Sequence, residues 1–391
     1  MASQAIKKAR TAVRSVLCQK HLEPGVIMNN LSIYFAILCS CGLIAACMPD
    51  REMPANAPYE NSQVICDFHI DWSTYQRLAP GSDNWPVTWA ADNHQYTSWG
   101  DGGGFGGTNQ RGRVSLGVAR IDGTFDKFKG HNLWGGFDTT NKPTFGGKSY
   151  GIYAVGEDLY MWVSPGSNAQ GYEEARIFYS PNKGATWKPS TWAFSLKEGI
   201  VFPTFLQGDP QSECQNNQYI YVYAINLKHS KTLSIQKPGE IILMRVSCPE
   251  LMNRAGYEFF AGIDKNGKAI WTSDILKRMP AFTNPAGVGW NCAVSYHRFL
   301  KRYLLTTEHT RSFHGNFSLF EGPTPWGPWK TVKYVENFGA PHVTPTSFYW
   351  NFSLKWSSSK GSDTSLIFTG IDSLDSFNAV KGTFLRNCPQ Q

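Results

Sequence analysis

The stretch Asp83–Gly104 (DNWPVTWAADNHQYTSWGDGGG) decides how this chain is read. Trp85–Ala90 (WPVTWA) and Gln95–Gly100 (QYTSWG) are rich in aromatic and β-branched residues, which suit a pleated, half-buried surface. Ala91-Asp92-Asn93-His94 between them supplies turn chemistry, so a β-hairpin is expected. Asp83 lies nine residues before Asp92 and Asp101 nine after it. In an antiparallel hairpin those two positions meet at the open end. Two carboxylates, several tryptophans and the run Gly102-Gly103-Gly104 therefore converge on one spot.

Outward from the hairpin, short apolar runs alternate with Gly, Asn, Asp and Pro turns. Ser62–Trp72 precedes the hairpin and Val114–Ile121 follows it. A second group holds Ser149–Ala154, Leu159–Val163, Ala175–Ser180 and Thr186–Trp192; a third holds Pro203–Leu206, Tyr219–Asn226 and Glu240–Ser247. A fourth runs from Tyr257–Ala261 through Cys292–Tyr296, Tyr303–Thr307 and Phe317–Glu321 to Trp329–Tyr334. Ser347–Trp356, Ser365–Gly370 and Val380–Leu385 form a fifth. Five groups of three to five strands point to an all-β fold, a five-bladed β-propeller over residues 62–391. A two-sheet sandwich or jelly roll is the competing architecture. The composition, 41% hydrophobic and 14% aromatic with 37 Gly and 22 Pro, suits a turn-rich β protein and excludes a helical bundle.

The leader has its own chemistry. Residues 1–46 carry Lys7, Lys8, Arg10, Arg14 and Lys20 against Glu23, a net +4 that leaves +3 of the total +7 for the rest. Nucleic-acid binding therefore has little support. The apolar run Leu31–Ala46 is short for a membrane span and suits a signal segment ending at Cys47 in a lipobox-like Ile44-Ala45-Ala46-Cys47. An uncleaved anchor helix is the alternative. The expectation is an exported cell-envelope lipoprotein with Cys47 lipidated, a Pro-rich tether over residues 47–61, and membrane contact through the lipid alone. Past the leader the cysteines show no metal-ligand spacing; Cys66–Cys388 and Cys214–Cys248 are expected to pair, leaving Cys292 over. No cofactor or metal is expected, and the domain is expected to be a monomer.

Ser180-Pro181-Asn182-Lys183-Gly184-Ala185-Thr186-Trp187 resembles the Asp-box turn of sialidase-type propellers, with Asn182 where Asp is usual. Its expected value is structural. The chain as a whole resembles the five-bladed propellers catalogued as domain of unknown function 4185, some of them endo-D-arabinanases. The resemblance rests on Gly81–Gly106, Val114–Gly123, Leu159–Val163, Phe202–Leu206, Tyr257–Gly262, Phe320–Thr331 and Asp375–Phe384. It implies a glycoside hydrolase acting on a polysaccharide, with an aspartate pair at the 18-residue spacing of Asp83 and Asp101. Arg311–Asn316 (RSFHGN) matches nothing in that pattern.

Glycoside hydrolysis needs one carboxylic acid to protonate the leaving oxygen and a second carboxylate as base or nucleophile. Asp83 and Asp101 are the candidates, although turn roles for both remain open, since Asp is a common turn residue. Trp85 and Trp99, with Asn84, are candidate sugar contacts; Trp89 is expected to pack between blades. Glu308, beside His309 at a strand end, and Asp375, near Asp372 in the last turn, are further candidates for substrate binding. Lys148, His94, His297 and His314 stand isolated in the sequence. A uronide lyase on the same scaffold, which wants a Tyr or His base and a cation, and a non-catalytic glycan-binding propeller are the alternatives.

Overall fold

A computed structural model describes residues 56–208, 219–227, 233–370, 375–386 and 388. Cys47, Cys214 and Asp372 lie outside the described residues, and so do the lipidation, the Cys214–Cys248 pairing and the leader. Among the described residues the chain is all-β, and its helical turns are five three-residue 3₁₀ segments.

Five antiparallel meanders follow one another along the chain. The first comprises Val87–Trp89, Gln95–Gly100, Leu116–Asp122 and Lys129–Trp134. The second runs through Lys148–Val155, Asp158–Ser164, Glu174–Ser180 and Lys188–Pro189. Thr204–Gln207, Tyr219–Ile225, Gly239–Ser247, Glu258–Ile263 and Ala269–Thr272 make the third, and Cys292–His297, Arg302–Glu308, Phe317–Gly322 and Lys330–Val335 the fourth. The fifth is Phe348–Ser353, Asp363–Thr369 and Phe377–Leu385, completed by the N-terminal strand Asp67–Leu78. That closure pairs Asp67 with Leu385 and Leu78 with Phe377, and the Cys66–Cys388 disulfide staples its end. The first strand thus belongs to the last sheet, a pairing that no local pattern announces.

The opening strands of the five meanders contact one another in a closed cycle, from Val87–Trp89 through Lys148–Val155, Thr204–Gln207, Cys292–His297 and Phe348–Ser353 back to the first. Leu206 and Gln207 pair in parallel with Val294 and Ser295, which joins the third and fourth meanders into one sheet. Strands inside such a ring are covered on both faces, so the two-residue alternation of exposed strands disappears. Phe348–Ser353 is buried at every position and Lys148–Val155 at all but the last. The outer strand Asp67–Leu78, by contrast, alternates. Aromatic side chains fill the wedges between meanders, with Trp162 against Phe194 and Tyr257, and Trp350 against Phe317 and Phe338.

The Ser180–Trp187 turn forms as its motif implies. Asn182 Oδ1 accepts from the Ser180 hydroxyl at 3.0 Å and from the Thr186 N–H at 2.9 Å, and Trp187 Nε1 donates to the Gly184 carbonyl at 3.1 Å. Cys292 is a buried free thiol.

Candidate active site

The hairpin Val87–Trp89/Gln95–Gly100 pairs Val87 with Thr97. Extended unchanged, that register would set Asp83 opposite Asp101. Instead Asp83 bridges Gly100, its N–H donating to the Gly100 carbonyl at 2.8 Å and its carbonyl accepting the Gly100 N–H at 2.6 Å. The slip of one residue leaves Asp101 without a partner on the Asp83 side, while its N–H donates to the Ser115 carbonyl at 3.2 Å, and its backbone turns left-handed at φ 51°. Both carboxylates then point at the same atom. Lys148, first residue of the inner strand of the second meander, places its ammonium 3.1 Å from each Asp83 oxygen and 2.8 Å from Asp101 Oδ2.

Around this triad the supports are tight. Asn84 donates its Nδ2 to Asp83 Oδ1 at 2.9 Å, and Arg113 brings a second cation within 3.3 Å of Asp101 Oδ1. A Cβ on Gly100 would lie 2.3 Å from Asp83 Oδ1 and 2.7 Å from Lys148 Nζ, so only glycine leaves the carboxylate and ammonium in place. Gly102 has φ +62° and a Cβ there would meet the Gly81 carbonyl at 2.3 Å, which requires glycine on both counts. Asp375 is tied to the same corner, its backbone carbonyl accepting the Gly81 N–H at 2.5 Å.

The electrostatics follow from burial. Burial raises the Asp83 pKa above the usual carboxylate range; the Lys148 ammonium opposes the rise and the Asp101 charge adds to it. Burial, then the Asp83 charge, pushes Asp375 up to about 7. For Lys148 burial disfavours the ammonium, but the charges of Asp83 and Asp101 outweigh it and raise its pKa. Three carboxyl groups and two cations therefore share one corner.

The starts of the other inner strands gather beside it. Tyr150 accepts a hydrogen bond on its hydroxyl from Trp290 Nε1 at 2.9 Å, and its carbonyl accepts from the Tyr349 hydroxyl at 2.5 Å. Its ring meets Phe202 edge-on at 5.1 Å. Left-handed backbone occurs here too, at Asn84, Asp101 and Tyr349. Such strain in residues with side chains persists only where surrounding structure enforces it, and it concentrates at functional sites.

The sequence candidates are placed as follows. Asp83, Asp101, Asn84 and Asp375 come together. Trp85 and Trp99 do not face the site: both are 0% exposed and stack on each other at 5.7 Å, with Phe105 and Phe377 against Trp85. Their apolar bulk makes them the core under the hairpin, and no sugar reaches their faces. Trp89, expected between blades, is partly exposed, lines a pocket with Tyr296 and His297 of the fourth meander and with Leu354, and donates Nε1 to Asn93 Oδ1. Glu308 is fully buried, where burial raises its pKa to about 8 against the Phe313 N–H that it accepts at 2.7 Å. His309 turns away from it, stacks on Tyr334 at 3.7 Å, and is held down at about 4 by burial, so the two form no acid–base pair. Lys148, Arg113 and Gly100 are the contributors that sequence reasoning missed. One signal was present: a lysine heading an otherwise uncharged inner strand (KSYGIYAV) has to find anions once buried.

No family model matches the chain, and no curated protein does. Solved structures similar to it include the GH43_1 enzyme from Xanthomonas citri complexed with xylotriose, at 13% identity and a TM-score of 0.45 over 80% of this chain and 89% of that one. The α-L-arabinofuranosidase PaAbf62A from Podospora anserina in complex with cellotriose is 10% identical, with a TM-score of 0.47 over 84% of this chain and 100% of that one. A thermostable family-43 glycoside hydrolase is 10% identical, with a TM-score of 0.42 over 80% and 96%.

Proposed function

We propose that this chain is a five-bladed β-propeller glycoside hydrolase acting on a polysaccharide. The five meanders, the closed cycle of their opening strands and the completion of the last sheet by the N-terminal strand support the propeller reading. One observation carries the chemistry: Asp83 and Asp101 face a single buried ammonium, so their nearest oxygens lie no more than about 6 Å apart.

In this reading Asp101 is the carboxylate that acts on the anomeric carbon. It is the more exposed of the two and is paired to both Lys148 and Arg113. Asp83, raised by burial and by the Asp101 charge, and Asp375, raised by burial and by the Asp83 charge, hold the proton given to the leaving oxygen. That upper bound lies below the roughly 6.5–9.5 Å that admits a water in inverting enzymes and is compatible with the about 5–5.5 Å of retaining ones. Retention at the anomeric carbon is the expected outcome, read by NMR of the first product. The lyase alternative fits less well. Tyr172, beside the triad, has its pKa pushed up to about 12 by burial, which makes it a poor base, and Lys148 is already committed to two carboxylates.

An arabinan-like polymer is the first substrate to try, on the strength of the Gly81–Gly106 resemblance. The leader supports an exported lipoprotein carried on Cys47, with the catalytic domain a monomer beyond its tether. Asp83→Asn and Asp101→Asn are each expected to lower release of reducing ends by about 10³-fold or more. A double variant that hydrolyses the glycan at the parent rate would sink the assignment.

A further inference from the structure

The loop Arg311–Asn316, which fits no pattern in the sequence, is built with some care. It leaves the strand Arg302–Glu308 through Thr310 at φ 60° and carries Phe313 at φ 59°. Its far end is pinned by the Gly315 N–H to the Ser347 carbonyl at 3.1 Å and by the Phe338 N–H to the Gly315 carbonyl at 2.8 Å. Its middle is pinned by Glu308, wholly buried, which accepts the Phe313 N–H on Oε1 while Oε2 has no partner among the described residues. A buried carboxyl and a left-handed aromatic residue are both unfavourable.

What this arrangement achieves is the exposure of one ring. Phe313 stands 39% exposed, seated on Trp290 at 4.6 Å and edge-on to Phe348 at 4.9 Å. Trp290 in turn bonds Tyr150, two residues after Lys148 and close enough to feel the Asp83 charge. The other large apolar side chains exposed among the described residues lie elsewhere. Ile263, Ile270, Leu276 and Met279 belong to the outer part of the third meander, Leu385 ends a strand, and Tyr219 is capped by the Arg245 guanidinium at 4.0 Å. An open aromatic face linked through Trp290 and Tyr150 to a carboxylate cluster suits the apolar C–H face of a sugar ring, with the polar groups supplying orientation.

We infer that Phe313 is the apolar wall of a sugar-binding subsite and that Glu308 is the positioning residue that holds its loop. This rests on the glycan reading above. It is tested in the full chain carrying Asp101→Asn, by calorimetry with short arabino- and xylo-oligosaccharides. Phe313→Ala is expected to weaken binding about tenfold or more, and Phe313→Trp to preserve or tighten it. Glu308→Ala is expected to weaken binding as Phe313→Ala does, whereas Glu308→Gln, which keeps the acceptor for the Phe313 N–H, retains it. In the otherwise unaltered enzyme Phe313→Ala should raise KM with little change in kcat. Binding in Phe313→Ala as tight as in its parent overturns the subsite, even if hydrolysis depends on Asp83 and Asp101 as proposed. Loss of binding in Phe313→Ala with no hydrolysis by the parent supports the subsite and overturns the reaction. A parent that binds none of these saccharides overturns the subsite.

Discussion

Two hairpin ends in this molecule use similar residues to opposite effect. At Ser180–Trp187 an amide, two hydroxyls and an indole bond to one another and to their own backbone, with every partner within four residues. At Asp83–Asp101 the charged groups look outward, and Lys148 reaches across 65 residues to one carboxylate and 47 to the other. The first turn is closed and needs nothing further. The second has three carboxyl groups competing for two cations in a buried corner, an arrangement that costs stability and leaves acids with raised pKa values. Self-sufficiency marks the structural turn, and unresolved charge marks the candidate site.

The sharpest way to break this contrast is Lys148→Met. It leaves Asp83 buried without its cation, and the loss of such a partner costs roughly 3–5 kcal/mol. A large drop in Tm together with loss of glycan hydrolysis is expected; thermal unfolding at the parent temperature would show the triad to be ornamental. Gly100→Ala is gentler and more selective. Its methyl pushes first on Asp83 Oδ1 and on Lys148 Nζ and Cδ, so turnover should fall by about 10²-fold with a smaller drop in Tm than in Lys148→Met and an unchanged circular dichroism spectrum. Unaltered turnover would mean that the carboxylate position does not matter.

A third measurement uses pH. Glu308 ionises near 4.5 when unfolded and only at about 8 when folded, so its folded pKa is raised. Its contribution to stability is therefore full below about pH 4.5 and is lost as pH rises towards 8. Glu308→Gln should flatten the fall of Tm with pH across that window, and an identical slope in both proteins would refute the buried carboxyl. The smallest effect is expected at the closed turn: Asn182→Ala should cost about 1 kcal/mol or less in urea unfolding and leave hydrolysis untouched. A loss of activity there would erase the distinction between the two hairpins.

How much of this was legible depended on range. Asp83 and Asp101 were found because nine residues on either side of a turn is a local relation, and antiparallel geometry converts it into proximity. The Asp-box turn was legible for the same reason. Trp85 and Trp99 were misjudged because an aromatic next to an acid looks the same in sequence whether its ring faces a ligand or the core. Only packing against Phe105 and Phe377 distinguishes the two. Lys148 was passed over because its partners are remote and nothing near it is acidic.

By itself the sequence determined the all-β class, the hairpin and the Asp-box-like turn, since each follows from local periodicity or turn chemistry, and it allowed the Cys66–Cys388 pairing to be expected among the alternatives. Tertiary structure alone decided that the first strand completes the last sheet. It also decided that a one-residue slip turns Asp101 towards Lys148, and that Phe313 rather than Trp85 is left in the open. Those outcomes depend on which distant surfaces must be buried together, and burial is a property of the assembled ring of strands rather than of any one of them.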